Sequence, residues 1–200
     1  SFSTRSGGLL LSTNSAISNM VTRNNRSTIT LQNGTKIKGI KNLKVDMTVY
    51  TPELDDLAIN HKYNDVRIAP GIAQNLEATL RSCEIDIGDV SGKLELEAKY
   101  VEGSLGRAGD AALDLYDCDL AFGDLGNTQL SSKYSELDFQ RLASLNMNIY
   151  DDDIEAELVD GALTITDKYS EIEIGQCGNA RLDLYDSQVE IRQGGNVQAK

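Results

Sequence analysis

The sequence is poor in residue types on which catalysis and nucleic-acid binding often depend. It has no tryptophan and one histidine, His61, and its 31 acidic residues against 19 basic ones give a net charge of -12. A lone imidazole gives a Ser-His-Asp or Cys-His arrangement almost nothing to build on, so we expect His61 to be an ordinary surface residue. The negative charge argues against nucleic acid and anionic lipid as partners.

Long apolar runs and paired cysteines are also missing. The run "GGLLLS" at 7–12 is too short to cross a bilayer and lacks the flanks of a secretory signal, so we expect no membrane insertion here; the chain is either cytosolic or has lost a leader. Three cysteines cannot all pair within one chain, and Cys83, Cys118 and Cys177 are too scattered for a zinc site. We expect free thiols in or near the core.

What the sequence does contain is a repeat. The segment 167–195, "DKYSEIEIGQCGNARLDLYDSQVEIRQGG", nearly repeats itself, and similar units occur upstream with a period of about 18 residues. The second residue of each Lys-Tyr or Tyr-Asp pair marks a unit, with Arg81-Ser82 as the one degenerate pair. The eight marker residues are Tyr63, Ser82, Tyr100, Asp117, Tyr134, Asp151, Tyr169 and Asp186.

Each unit carries a pattern that indicates two short strands and a turn. Apolar residues alternate with polar ones before the marker, as at Leu94 and Leu96, and after it, as at Ile172 and Ile174, which is typical of strands with one buried face. Glycine-rich turns such as "GDLG" at 123–126 enclose one inward residue, and we expect glycine to supply positive φ at these corners. The pattern predicts an all-β fold, a right-handed parallel β-solenoid of about eight short coils.

The residues around the markers form two outward columns. From Lys99 onward they alternate between Lys-Tyr and Tyr-Asp, so stacking at about 4.8 Å should place each lysine beside a tyrosine ring and near an aspartate. This ladder is either a structural device or a platform for sugar rings or a protein partner. Its tyrosines, the tyrosine ladder, are Tyr100, Tyr116, Tyr134, Tyr150, Tyr169 and Tyr185.

A second outward column, two residues after the marker, is acidic in every unit except the last. Stacking would turn it into a row of like charges, which is either a solvated face that keeps the sheet soluble or a stripe that binds Ca²⁺ and bridges to an acidic glycan. The candidate residues of this acidic ladder are Glu84, Glu102, Asp119, Glu136, Asp153 and Glu171.

The first part of the chain departs from the repeat. Residues 1–50 are rich in Ser, Asn and Thr, with a hairpin-like pair around Asn33-Gly34 and then a strand at 43–52. We interpret residues 1–50 as irregular strands that cap the first coil, residues 51–200 as the repeats, and the whole as one structural domain.

The segment "LKVDMTVYTPELDDLAINHKYNDVRI", followed by units such as "KYSELDF" and "KYSEIEIG", resembles a family of adhesin-type proteins of Gram-negative gut bacteria with a repeated β-strand domain of unknown function. The likeness covers about residues 43–192. It implies an exported β-solenoid in the periplasm or at the cell surface, and it brings no catalytic residues. The glycine of the family's Tyr-Gly-Asp or Phe-Gly-Asp step is mostly replaced here by serine or aspartate.

These observations favour a non-enzymatic, extracytoplasmic interaction or structural module whose partner is a glycan or a surface protein, with no cofactor other than a candidate Ca²⁺. The alternative is a carbohydrate-active β-helix enzyme, a polysaccharide lyase or hydrolase, that uses stacked carboxylates such as Asp151 and Asp153 as acid and base. A third interpretation is a cytosolic assembly scaffold. Short uniform coils without long loops argue against an enclosed catalytic pocket.

Overall fold

The computed structural model describes residues 53–200 throughout, and upstream of them the backbone of five strands. The chain divides into two compact units, Ser1–Tyr50 and Thr51–Lys200. The five strands of the first unit are β1 (Phe2–Arg5), β2 (Gly8–Leu11), β3 (Ile17–Arg23), β4 (Arg26–Leu31) and β5 (Lys36–Ile40).

In the first unit, β1 pairs antiparallel with β2, and β3, β4 and β5 form a second antiparallel sheet. Thr30 pairs with Lys36 and Ile29 with Ile37, which confirms the hairpin predicted around Asn33-Gly34. The strand predicted at 43–52 lies outside the described residues. The capping role of residues 1–50 stays a prediction.

The second unit is a parallel β-solenoid of about nine turns, as the repeat predicts. Almost every strand pairs in parallel with the strand one coil earlier and one coil later, for example Leu120 with Leu137 and Leu137 with Ile154. No helix occurs in residues 53–200, and none in the described part could cross a membrane. The strands are β6 (Leu54–Lys62), β7 (Val66–Ile68), β8 (Ala73–Ile87), β9 (Leu94–Leu105), β10 (Ala111–Tyr116), β11 (Asp119–Lys133), β12 (Glu136–Tyr150), β13 (Asp153–Val159), β14 (Leu163–Lys168), β15 (Glu171–Cys177), β16 (Ala180–Tyr185), β17 (Gln188–Gln193) and β18 (Val197–Ala199).

The predicted inward residues form the core. Leu94, Leu96, Ile172 and Ile174 are buried, and Phe122 stacks on Phe139 with ring centroids 4.9 Å apart. The inward residues of the C-terminal coil, at 184, 189 and 191, are only partly buried. A continuous apolar column therefore runs through the coils, and it fixes which side chains are left on the outside.

The corners differ from the prediction in one respect. All eight marker residues have positive φ, between 51° and 72°, whereas Gly71 and Gly103 are the two glycines with positive φ in the described part of the chain. A left-handed conformation costs a non-glycine residue about 1–2 kcal/mol, so the packing of neighbouring coils must impose it. Because of this kink, a marker and the residue before it both face outward, as the exposed pair Lys133 and Tyr134 shows.

The turn glycines serve close approach instead. A Cβ on Gly109 would lie 2.6 Å from the carbonyl oxygen of Gly92, and one on Gly126 would lie 2.8 Å from that of Gly109. The amide of each donates a hydrogen bond to that same oxygen, at 2.7 and 2.8 Å. Glycine is needed here because adjacent coils touch through their backbones.

Candidate functional site

The tyrosine ladder is a continuous row of exposed or half-buried rings along one corner of the solenoid. Consecutive rings from Tyr100 to Tyr185 meet edge to face, with centroids 5.4–5.8 Å apart and interplanar angles of 78–88°. The alternation read from the sequence explains the row, because the left-handed kink brings a marker tyrosine into line with a pre-marker tyrosine of the next coil. Each such contact stabilises the corner by about 0.5 kcal/mol or more.

Within residues 53–200, most of the cation-π contacts and ion pairs predicted for the lysines of this corner do not form. Lysine and tyrosine do alternate in register, as in Tyr116, Lys133 and Tyr150. Within residues 53–200, however, cations lie over ladder rings at two places only, Arg81 Cζ at 5.9 Å from the Tyr100 centroid and Lys168 Nζ at 6.0 Å from that of Tyr185. No lysine of this part pairs with a marker aspartate. Contacts between tyrosines, rather than cation-π contacts, dominate the corner.

The acidic ladder forms in the predicted register. Glu84 pairs with Glu102, and the column continues through each successive coil to Glu171. All six carboxylates are exposed, and among residues 53–200 none of them forms an ion pair with lysine or arginine. No group of three acidic, histidine or cysteine side chains in the described residues converges as a metal site, so Ca²⁺ binding stays a hypothesis.

The three successive aspartates 151–153 do not act as one group. Asp151 is exposed at the kink, Asp153 faces outward in the acidic ladder, and Asp152 is 4% exposed inside the solenoid. The kink and the strand alternation leave Asp151 and Asp153, the two carboxylates of the enzyme alternative, on the outside and turn Asp152 inward.

The interior of the same corner holds a polar cluster that sequence reasoning missed. Asp152 Oδ1 accepts hydrogen bonds from the Ser132 hydroxyl at 2.9 Å and the Ser135 amide at 2.7 Å, and its Oδ2 accepts one from the Tyr150 amide at 2.9 Å. The Ser170 hydroxyl accepts from the Asp152 amide at 3.0 Å and donates to Asp167 Oδ1 at 2.6 Å.

This cluster has an electrostatic cost. Burial raises the pKa of Asp152, and the hydrogen bonds from Ser135, Tyr150 and Ser132 offset part of that rise. Asp167 is 2% exposed, and its Oδ2 has no hydrogen-bond partner in the described structure. The sequence does carry a signal for this cluster, because both positions involved face inward and should be apolar. The cluster residues two before a marker are Ser132 and Asp167, and those one after a marker are Ser135, Asp152 and Ser170.

Beside the tyrosine ladder, on the outer face of the strands that precede the kinks, lies a polar groove of about 480 Å³. Outward side chains of five successive coils line it. One end is acidic, with Glu77, Glu95 and Glu97, and the other is neutral, with Gln129, Asn146 and Asn148. The groove, the tyrosine ladder and the acidic ladder are therefore neighbouring parallel stripes.

The remaining candidates from the sequence are the three cysteines and His61. Cys83, Cys118 and Cys177 are free and buried, as predicted, and burial raises the pKa of each thiol. His61 corrects the prediction of a surface residue, because it pairs with Leu80 in an inward column and its Nε2 is enclosed without a partner in the described part of the chain.

Comparisons with known proteins do not place this chain in a family. No family model matches the chain, and neither the curated proteins nor the solved structures include a match. The resemblance to adhesin-type proteins stays a prediction from the sequence.

Proposed function

We propose that this protein is a non-enzymatic interaction module that works outside the cytoplasm, in the periplasm or at the cell surface, and binds an extended glycan along the polar groove and the tyrosine ladder. The observation that carries the proposal is the ladder itself. Its members keep much of their surface in water, from 36% for Tyr116 to 59% for Tyr185, apart from the half-buried Tyr150. Such a row of amphipathic rings is a ready contact surface.

The chemistry of the groove fits a sugar chain. Tyrosine rings pack against the apolar face of a sugar, while amide side chains such as Gln129, Asn146 and Asn148 donate and accept hydrogen bonds with hydroxyl groups. From Tyr100 onward each coil, about 4.8 Å from the next, presents one tyrosine ring, so a long ligand can engage several rings at once. The surface is open to water, which supports binding over a reaction that needs a closed pocket.

A glycan array with bacterial and host polysaccharides tests the proposal. We expect retention without turnover, and we expect Tyr116→Ala combined with Asn146→Ala to weaken binding about fivefold or more, the range of a contact hot spot. Asp138→Ala, on the outer face of the other strand, is the matched control and should bind as the unchanged protein does.

Two results would contradict the proposal. Release of new reducing or unsaturated ends would favour the alternative enzyme that uses Asp151 and Asp153. Finding an uncleaved precursor in the cytoplasm would favour the assembly scaffold.

A further inference from the structure

The tyrosine ladder repeats every two coils rather than every coil. Tyr100, Tyr134 and Tyr169 are markers with positive φ, whereas Tyr116 and Tyr150 precede the marker on the coils between them. Each ring of the ladder is nearly perpendicular to the next, with interplanar angles of 78–88°. Equivalent rings are therefore two coils apart, about 9.6 Å along the solenoid.

Exposure separates the two sets of rings. The ladder's marker tyrosines, Tyr100, Tyr134 and Tyr169, are 46%, 45% and 44% exposed. Between them, Tyr116 is 36% exposed and Tyr150 is half-buried. The ladder thus presents three rings of nearly equal exposure at equal spacing, and a long ligand laid along the corner would pack on these three rings first.

The charged side chains beside the rings follow the same two-coil repeat. An exposed lysine precedes each of the three marker tyrosines, and an exposed aspartate follows the tyrosine on each coil between them. These residues are Lys99, Lys133, Lys168, Asp117 and Asp151. Among residues 53–200, no ion pair joins these lysines to these aspartates. Each two-coil unit therefore presents two rings, one ammonium and one carboxylate, and its charges cancel.

A ligand that fits this repeat must present the same group again about every 9.6 Å. In an extended, equatorially linked polysaccharide, each sugar is turned over relative to its neighbour, so the same face returns at every second sugar, a spacing close to that of two coils. Its hydroxyl groups accept hydrogen bonds from the lysines and donate them to the aspartates. A chain of acidic sugars would instead bring carboxylates beside the acidic ladder, which carries the same charge.

A proline-rich peptide is another class of ligand with a comparable repeat, since a polyproline II helix returns after three residues, about 9.3 Å. Proline has no N–H group, so such a segment would leave the aspartates of the row without a donor. The alternation of lysine and aspartate beside the rings therefore favours hydroxyl groups, which both donate and accept.

We propose that the tyrosine ladder binds a neutral, extended, equatorially linked polysaccharide in register with its two-sugar repeat, and that Tyr100, Tyr134 and Tyr169 each pack against every second sugar. This inference rests on the proposed function and adds the class of glycan. It also predicts that the chain of sugars runs parallel to the solenoid axis.

Titration calorimetry of the full chain with cello-oligosaccharides, lengthened one sugar at a time, tests the register. We expect the affinity to rise in steps of two sugars, about two- to tenfold a step, because only every second sugar reaches a further marker ring. Malto-oligosaccharides of equal length, which coil, should bind several-fold more weakly. So should oligomannuronates, which are extended and equatorially linked but acidic.

A matched pair of variants identifies the rings that carry the binding. Tyr134→Ala and Tyr150→Ala each remove two contacts between neighbouring rings. Tyr134→Ala should weaken the longest cello-oligosaccharide about fivefold or more, whereas Tyr150→Ala should cost about twofold at most. Tyr134→Phe keeps the ring and should bind nearly as the unchanged protein does, and melting curves will check that all three variants fold.

The outcomes separate this inference from the proposed function. Glycan binding that increases evenly with each sugar, equal affinity for malto-oligosaccharides, or equal losses with Tyr134→Ala and Tyr150→Ala would overturn the two-sugar register alone. A preference for oligomannuronates, with or without Ca²⁺, would overturn the neutral class alone. Absence of binding to every glycan would remove the proposed function as well, and binding of a polyproline peptide in place of every glycan would assign the row to a protein ligand.

Discussion

Substitutions at two adjacent positions, Leu137 and Glu136, test the register of the solenoid most directly. Leu137 is 0% exposed and stacks between Leu120 and Ile154, whereas Glu136 is exposed between Asp119 and Asp153. If the register is right, Leu137→Asp should prevent stable folding, and Glu136→Ala should be neutral or slightly stabilising.

The expected sizes follow from burial. Removing the leucine side chain forfeits about 2 kcal/mol of hydrophobic transfer, and a buried unpaired charge costs several kcal/mol more. The sum reaches about 5 kcal/mol, within the range of the whole free energy of unfolding of an ordinary domain. Leu137→Ala should cost about 2–5 kcal/mol and leave a folded protein. Glu136→Ala should stay within about 0.5 kcal/mol, since it removes one of three adjacent like charges.

Urea unfolding followed by circular dichroism measures these differences as shifts of the transition midpoint. Leu137→Ala is the graded control. It leaves a cavity but adds no buried charge, so it measures the cost of the cavity alone. Equal midpoints for Leu137→Asp and Glu136→Ala would refute the assignment of inward and outward faces.

Four further predictions concern other parts of the solenoid. The melting temperature should rise with NaCl, because salt screens the acidic ladder. A larger, saturable rise with millimolar Ca²⁺ at matched ionic strength would indicate a cation site, whereas equal effects of NaCl and Ca²⁺ would indicate a solvated acidic face. Burial raises the pKa of Asp152 above its ordinary value of 3.8, so its ionised form costs stability at neutral pH and the cost is relieved as pH falls through the raised pKa. As pH falls from neutral to about pH 4, the melting temperature of the unchanged protein should rise relative to that of Asp152→Asn. A relative fall over that range would contradict the assignment. Cys83 and Cys118 lie two coils apart, about 10 Å, so mass spectrometry after mild oxidation should find no disulfide between them. Gly126→Ala should cost about 1–3 kcal/mol in the same urea assay, because its Cβ would lie 2.8 Å from the backbone of Gly109, and full tolerance would mean that the coils can separate there.

The sequence by itself determined the architecture and the direction of most side chains. A repeat of about 18 residues with period-two alternation leaves few options, because each strand must pair with its own copy on the next coil to bury its apolar face. The burial of residues such as Leu94 and Ile172 and the register of the acidic ladder both followed from that rule. Each depends on the position of a residue within one repeat unit.

Only the tertiary structure decided features that depend on geometry between coils. The left-handed kink lies at the markers and not at turn glycines such as Gly109 and Gly126. The turns need glycine because their backbones touch, whereas the stacked corner holds each marker in a strained conformation. That kink turns two columns of tyrosine into one row of rings. It also directs Ser132, Asp152 and Asp167, from three different coils, into one buried cluster.

The second coil shows the same limit. In the sequence, Arg81-Ser82 is the degenerate pair of the repeat. In the solenoid, Arg81 occupies the position that a tyrosine before the marker holds on later coils, and its Cζ lies 5.9 Å from the Tyr100 centroid. Local pattern fixes whether a side chain faces in or out, whereas the shape of a surface depends on which side chains the neighbouring coils place beside it.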